Sequence, residues 1–374
     1  MCCQFTMPAS NQNPPLNPRI RRGHGRSTLA DVALAAGVTK ITVSRYLREP
    51  DKVAPATAAR IAAALAEQAY VPNKQAGMLA SGRSRVVAAI VPSLANSVFA
   101  ETVQGLSDGL MTAGFELLLA SSGYLEQREE EQIRAVLGWS PDALAVTGRH
   151  HTAGARAMLR AAVAAGTPII EMWDRQPRGA EFVQVGFDHA EVGAAMALHL
   201  LAAGHRRLAY VDTGVANDFR AHERGAAFVA TCQASALRST ARLITAPQGD
   251  AFDAGRAALV GLLGKGGRPK VDAIAFANDN LACGAWLEAQ ARGLTVPTDI
   301  GLMGFGDFSL ARQLGSGITT VRPPRYEIGR ETAATMLRLM AGPAAAPASR
   351  RVQGSSVPWQ LVERGSTQPV RTTF

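Results

Sequence analysis

The stretch TLADVALAAGVTKITVSR, running from Thr28 to Arg45, decides the reading of this chain. Leu29, Val32, Ala33 and Ala36 recur at helical spacing, which gives one short helix with a single apolar face. Gly37 stops that helix, because it takes the left-handed conformation at little steric cost. Thr39 suits the N-cap of a second helix, whose buried stripe starts at Val43 and continues to Tyr46 and Leu47. Two short helices around a glycine turn form a helix-turn-helix, and its second helix enters the major groove of DNA. Lys40, Ile41, Ser44 and Arg45 then face outward, and these residue types suit base edges and phosphates. Any small helical hairpin would give the same signal, so the chain on either side has to decide.

A third helix over Thr57–Ala69, with Ile61, Ala64, Leu65 and Ala69 on one face, completes a three-helix core. Next comes YVPNKQAGMLA, from Tyr70 to Ala80. Pro72 suits the first turn of a fourth helix. That helix is short and nearly without an apolar face, and Gly77 costs it about 1 kcal/mol. It is therefore either held by a partner or a linker.

From Thr28 to Leu79 the chain resembles the headpiece of the lac-repressor (LacI-type) family: T-L-x-D-V-A-x-x-A-G-V-T-x-x-T-V-S-R, then Y-x-P-N and A-x-x-L, in the same order and separation. The resemblance implies a DNA-facing set of Thr28, Thr39, Lys40, Ile41, Thr42, Ser44 and Arg45. It continues with Tyr70, Asn73, Lys74, Ala76 and Leu79 in a hinge helix. It further implies that two subunits pair their hinge helices in the minor groove, where Leu79 wedges open a base step, and that this helix folds on DNA.

Bulk properties agree. With 374 residues, 47% hydrophobic and 18% charged, the chain is globular with two or three domains. No apolar run approaches the roughly 20 residues of a membrane span, and Met1–Asn17 lacks the pattern of a secretory signal. A cytoplasmic protein with no membrane partner is expected. The formal charge is +9, and residues up to Arg85 carry twelve Lys and Arg against four acids. Nearly the whole excess sits in the first quarter of the chain, which points to a polyanion partner there. Cys2, Cys3, Cys232 and Cys283 include no C-x-x-C pair, so neither a metal nor a disulfide framework is expected.

Beyond Ser84 short apolar runs alternate with helical stretches: Val86–Val91, Ser97–Ala113, Glu116–Ala120, Glu126–Leu137, Ala143–Val146, Ala153–Ala165 and Pro168–Met172. A second series begins near Phe182. This order gives parallel sheets covered by helices, with ligands bound at the carboxyl ends of the strands in a cleft between two subdomains. It resembles the periplasmic sugar-binding core that LacI-type regulators carry after the hinge. The fold class is thus an all-α helix-turn-helix headpiece plus hinge helix, followed by an α/β periplasmic-binding-protein-like core of two doubly wound subdomains. The expected divisions are a disordered basic arm (1–26), the DNA-binding domain (27–70), hinge helix and linker (71–85), the two-lobed effector and dimerisation domain (86–367) and a tail (368–374). Lobe one is expected over about 86–175 plus 319–343, and lobe two over about 182–318 plus 344–367.

Loops after the strands offer Ser93, Asn96 and Phe99, then Thr147, Arg149, His150 and His151. Further along they offer Glu171 and Asp174, Arg220, His222 and Arg224, Asn278 and Asp279, and Asp307. Polyols are read by carboxylate and guanidinium forks and by apolar platforms. The resemblance implies that Arg224 and Asp279 hold ligand hydroxyls. Thr147, Arg149 and His151, with the segments Ser93–Glu101, Gly114–Tyr124 and Val185–Asp188, look closest to the gluconate-operon repressor branch. The purine-repressor pattern is not matched, since Val98-Phe99 stands for its Tyr-Phe platform and Gly306 for its Asp. The expected effector set is Ser93, Asn96, Phe99, Thr147, Arg149, His151, Asp174, Arg224, Asn278 and Asp279, and its cations favour a sugar acid. Walker, G-x-S-x-G and H-E-x-x-H motifs are missing, so no catalytic residue and no cofactor is expected. The chain reads as a regulator, in all expectation a repressor of carbohydrate catabolism genes, working as a homodimer on a near-palindromic operator under a small sugar or sugar-acid effector. A cytoplasmic sugar-binding protein, or a sugar-phosphate enzyme with a non-DNA role for the basic N-terminus, is the alternative.

Overall fold

The computed structural model describes residues 27–72, 84–95, 98–176, 178–342 and 354–368. They form two compact units, one within residues 1–81 and one within 82–374. The expected arm and most of the expected hinge, including Asn73, Lys74, Ala76 and Leu79, lie outside the described residues, as does Asn96.

The first unit is three helices: α1 (Leu29–Ala35), α2 (Lys40–Arg48) and α3 (Pro55–Glu67). Thr28 and Asp31 form a reciprocal capping box at the start of α1, which satisfies amides that the first turn leaves unpaired. Gly37 turns the chain at φ +62°, and Thr39 caps α2 by accepting from the Thr42 N–H at 3.3 Å. Val32, Ala33, Ala36, Val43, Ile61 and Ala64 make the buried core. The third helix starts two residues before the expected Thr57, with Pro55 in its first turn. It ends at Glu67, and Ala69 is exposed with φ +44° rather than on the apolar face.

The second unit holds two six-stranded sheets. In chain order its elements are β1 (Val86–Val91), α4 (Phe99–Met111), β2 (Glu116–Ser121), α5 (Glu126–Leu137), β3 (Ala143–Thr147), α6 (Ala153–Ala164), β4 (Ile169–Met172) and β5 (Val183–Gly186). Then come α7 (His189–Ala202), β6 (Arg207–Asp212), α8 (Phe219–Ala234), β7 (Thr240–Thr245), α9 (Ala251–Gly261), β8 (Ala273–Phe276), α10 (Asp279–Ala291), β9 (Gly301–Phe305) and α11 (Ser309–Gln313). The last are β10 (Thr319–Arg322), α12 (Arg325–Met340), β11 (Ser355–Ser356) and β12 (Gln360–Val362). The strand orders are β11-β5-β4-β3-β1-β2 and β12-β10-β9-β8-β6-β7. All neighbours are parallel except β10 and β12. The repeated core order 4-3-1-2 is the doubly wound pattern, and it sends the carboxyl ends of both sheets toward the loops that carry the candidate site.

Three lobe boundaries need correction: β11 belongs to the first sheet, paired with β5 through Ser355 and Val185, although residues 344–367 are expected in lobe two. β5 belongs to the first sheet, paired with β4 through Ile170 and Val183, although it was expected to open lobe two. β10 belongs to the second sheet, paired with β9 through Thr319 and Met303, although it was expected in lobe one. The chain therefore passes between lobes after β5, after β10, and between β11 and β12. β5 follows β4 through a loop without a helix, which breaks the strand–helix alternation on which the boundary rested. Helix α12 returns to the first lobe and lies on α4. A Cβ on Gly105 would stand 2.2 Å from the Tyr326 carbonyl oxygen, and one on Gly329 would stand 2.1 Å from that of Thr102. Only glycine allows this backbone approach. No helix among the described residues is long and apolar enough to cross a membrane.

Candidate functional site

A cavity of about 300 Å³ lies at the carboxyl ends of the strands of both sheets. From the first lobe come Ser93 after β1, Phe99 at the start of α4, Tyr124 after β2 and Trp173 after β4. From the second come Arg220 and Arg224 of α8, Asn278 after β8, and Phe305 and Phe308 at the end of β9. His189, the first residue of α7, closes the floor. Aromatic faces thus alternate with a few convergent polar groups, as small-ligand sites require. The N-caps of α8, α9 and α10, namely Asp218, Asp250 and Asn278, also line the cavity. Three helix N-termini therefore converge on it, and at two of them the carboxylates of Asp218 and Asp250 already answer the helix field.

The two arginines dominate its electrostatics. They sit one turn apart on α8 and are only 9% and 4% exposed. Among the described residues no carboxylate oxygen lies within the 4 Å ion-pair distance of either guanidinium. Arg220 lies 5.6 Å from the centroid of the Phe99 ring and stands near the Tyr124 phenol, which burial keeps protonated by pushing its pKa up. Arg224 donates to His189 Nδ1 at 3.0 Å and to the Ala277 carbonyl at 3.0 Å, with its guanidinium 3.9 Å from the centroid of Phe305. Buried cations are costly unless paired. The lining also holds the Asp218 and Asp250 carboxylates, but neither lies at ion-pair distance from a guanidinium, so an anion set between Arg220 and Arg224 would answer their charge.

His189 is neutral. Burial drives its pKa well below the usual range, and the Arg224 charge adds to this. Its Nε2–H donates to the Trp173 carbonyl at 2.8 Å. Trp173 is held at φ +70°, where a bulky residue costs about 1–3 kcal/mol.

Ser93, Phe99, Arg224 and Asn278 of the expected effector set line this cavity; Thr147, Arg149, His151, Asp174 and Asp279 do not. The Thr147 hydroxyl donates to the Ile90 carbonyl at 2.9 Å, tying β3 to β1, and the residue borders only a side recess of about 40 Å³. Arg149 reaches across the cleft, 2.9 Å from Asp174 Oδ1 and 3.0 Å from Glu223 Oε1. Beside it His150 stacks on Phe219 of the opposite lobe, centroids 4.3 Å apart. His151 turns the other way, with Glu129 at 3.0 Å and Glu171 at 3.4 Å. Burial opposes its protonation, yet the hydrogen bond to Glu129 and the nearby Glu171 carboxylate hold its pKa up at about 9. Asp174 is buried and pushed up to about 6 by desolvation, against the pull of Arg220 and Arg149.

Asp279, fully buried, accepts from the Phe308 N–H at 2.7 Å and from the Thr320 hydroxyl at 2.6 Å. Burial pushes its pKa up to about 6, and the group fastens β9 and β10 instead of facing a ligand. Asp307 is likewise occupied, by Arg322 at 2.6 Å and Arg364 at 2.5 Å.

Sequence reasoning missed Tyr124, Trp173, His189 and Phe308. Trp173 had a visible signal, an aromatic residue at a strand end between Glu171 and Asp174. His189 had none, being one histidine before an apolar helix.

In the first unit Lys40, Ile41 and Arg45 are exposed on α2, Ile41 by 71%, and Thr42 and Ser44 are half-buried beside them. Thr28 and Thr39 are helix caps whose side chains serve the backbone. Tyr70 packs half-buried against the three-helix core rather than projecting from it.

Comparison with known proteins matches residues 28–73 to the model for bacterial regulatory proteins of the lacI family, and residues 197–367 to a periplasmic binding protein-like domain. The HTH-type transcriptional regulator GntR of Pseudomonas aeruginosa is 39% identical over 87% of this chain and 93% of its own length. GntR of Escherichia coli K12 is 32% identical over 91% of this chain and 97% of its own. The crystal structure of a LacI-family transcriptional regulator from Silicibacter pomeroyi superposes with a TM-score of 0.80 at 33% identity, covering 91% of this chain and 99% of that one. With its capped helix-turn-helix and its two-sheet core matched over nearly their full length, this chain belongs to the lacI family of DNA-binding bacterial transcriptional regulators.

Proposed function

We propose that the protein is a cytoplasmic, non-enzymatic repressor of carbohydrate catabolism genes whose effector is gluconate or a related sugar acid. The observation that carries this reading is the pair of buried guanidiniums of Arg220 and Arg224, neither with a carboxylate at ion-pair distance among the described residues, on the wall of a 300 Å³ cavity. The carboxylate of a sugar acid gains charge-assisted hydrogen bonds there. Its hydroxyls meet Ser93 and Asn278, and its carbon chain packs on Phe99, Trp173 and Phe305. The likeness of this chain to gluconate-operon repressors supports the same ligand class.

Two subunits place their α2 helices in successive major grooves of a near-palindromic operator. Lys40, Ser44 and Arg45 contact phosphates and base edges, and exposed Ile41 suits a thymine methyl group. The N-termini of α1 and α2, with Thr28, Thr39 and Thr42, meet phosphates. Tyr70 supports the headpiece, and Asn73, Lys74, Ala76 and Leu79 form the hinge contact. Effector binding releases the operator through its differential affinity for two cleft states.

Titration calorimetry with D-gluconate and D-glucose, followed by operator binding with and without each sugar, tests this reading. Saturable binding of the acid alone, with loss of operator affinity, is the expected result. Binding of the neutral sugar in preference to the acid overturns it.

A further inference from the structure

A single file of hydrogen bonds runs from the cavity wall to the places where the chain passes between lobes. Arg224 donates through Nη1 to His189 Nδ1 at 3.0 Å, and His189 Nε2 donates to the Trp173 carbonyl at 2.8 Å. Trp173 Nε1 donates to Thr102 Oγ1 at 3.1 Å, and the Thr102 hydroxyl donates to the Arg325 carbonyl at 2.8 Å. Along the file His189, Trp173 and Thr102 each give one bond and take one, Arg224 only donates and the Arg325 carbonyl only accepts, so the directions are forced. A guanidinium can only donate, which requires a lone pair on Nδ1; a carbonyl can only accept, which requires a proton on Nε2. The imidazole is therefore locked in one neutral tautomer, facing the cations Arg224, Arg220 and Arg149 and the ring of Phe187 4.6 Å away.

Two members of this file, His189 and Arg325, lie at consequential places. His189 follows β5 by three residues, just beyond the first passage from lobe one to lobe two. Arg325 opens α12 after β10, where the chain returns. Between them Trp173 sits in a left-handed backbone conformation, 1% exposed, wedged edge-on against Phe99 and Phe187. A residue kept in so unfavourable a conformation is held there by its surroundings, and here both its ring N–H and its carbonyl are engaged.

We propose that His189 is a positioning residue that couples the effector cavity to the lobe crossings: its Nδ1 side sets Arg224 for the ligand, and its Nε2 side reports the position of Arg224 to Trp173, Thr102 and the start of α12. The proposal rests on the reading of this cavity as the effector site. Its consequence is that ligand binding and operator release are separable at one ring. An anion that draws Arg224 into the cavity pulls on His189, and the backbone at Trp173 moves with it.

Three substitutions divide the two functions. His189→Asn keeps an acceptor near the Nδ1 position but has nothing at Nε2. At saturating D-gluconate its effector-dependent drop in operator affinity should shrink by about tenfold or more, within the usual range of coupling factors. His189→Gln keeps a donor near Nε2 and loses the bond to Arg224. It should bind gluconate about tenfold more weakly yet release the operator fully at saturation. Thr102→Val removes the far link without touching the cavity and should resemble His189→Asn. Proportional loss of binding and response in all three variants, or an unchanged response in His189→Asn and Thr102→Val, overturns the proposal.

Hydrogen exchange on the ligand-free full chain keeps the test independent of the ligand. Thr102→Val should raise exchange in residues 187–192 as well as around Thr102, and protection unchanged at 187–192 refutes the relay. If the unaltered protein ignores gluconate, the effector reading fails, and the exchange result alone decides on the relay.

Discussion

Arg149 of the first lobe holds Glu223 of the second, its Nη1 and Nη2 3.2 and 3.0 Å from the two carboxylate oxygens, while Nη1 also keeps Asp174 at 2.9 Å. Together with the His150–Phe219 stack, this makes the loop Gly148–Thr152 a clasp across the cleft. Arg149 and His150 grip the opposite lobe, and His151 and Thr152 anchor the loop to Glu129, Glu171 and Glu130 of their own lobe.

Opening the clasp should speed ligand exchange. Glu223→Gln removes one charged partner from a pair that is partly exposed, so its cost is about 1 kcal/mol after screening. Stopped-flow measurement should show effector dissociation faster by about fivefold, with operator affinity in the absence of effector little changed. Dissociation at the original rate would mean that the contact does not bar the exit.

Arg220→Met should separate affinity from stability. The variant loses a charge-assisted bond worth about 1.5–3 kcal/mol, and binding of a sugar acid should fall by roughly 10- to 150-fold. It also removes a buried cation with no carboxylate at ion-pair distance, so the thermal midpoint should hold or rise. A clear fall in the midpoint together with unaltered affinity would show that this guanidinium serves the fold.

His151 gives stability a pH signature. Its folded pKa of about 9 stands above the ordinary 6.5. Its contribution is therefore complete below about pH 6.5, where folded and unfolded chains are both protonated, and it fades as pH rises through 9. His151→Gln should lower the midpoint near neutral pH and give a flatter alkaline limb than the unaltered protein. Parallel curves from pH 6 to about 10 would contradict the buried imidazolium.

Asp279→Ala should act on the fold and leave ligand affinity nearly intact. It strands the Phe308 N–H and the Thr320 hydroxyl, at about 1–3 kcal/mol for each group left buried without a partner. Denaturant titration should show that loss, with effector affinity changed less than about threefold. A variant that folds normally but no longer binds would return Asp279 to the ligand.

Arg45→Ala and Lys40→Ala should weaken operator binding while sparing the effector site. If Lys40 neutralises a phosphate, its removal lowers the slope of log affinity against log salt by about one. Loss of discrimination between operator and random duplex is expected for whichever of the two reads a base edge. An unchanged salt slope in both variants would place α2 outside the interface.

Much of this molecule is legible in the sequence because local chemistry and tertiary packing agree. Glu126–Leu137 and Val86–Val91 occur with the bounds that their periodicity indicates. The pair Thr28 and Gly37 marks the limits of α1 through a capping box and a left-handed turn. The four-residue β5 and the two-residue β11 carry too little pattern to reveal which sheet they join. At the cavity, sequence places Thr147, His151 and Asp279 at the ends of strands, which is where they lie. It does not say which way a side chain turns there, and these three turn inward to carbonyls, carboxylates and amides of their own lobe. Arg224 and Phe99 turn the other way. His189 matters through the two groups flanking its ring, Trp173 and Arg224, which lie 16 and 35 residues away along the chain.

The threefold passage of the chain between lobes also governs how the protein is made. When a ribosome has released residues 86–186, five strands of the first sheet exist, but the sixth, Ser355–Ser356, and the covering helix Arg325–Met340 are still unsynthesised. Gly105 and Gly109, which lie against that helix in the finished fold, lack this partner until it is made. Neither lobe is a contiguous stretch of the chain, so each lacks part of its native packing until the last segments are synthesised.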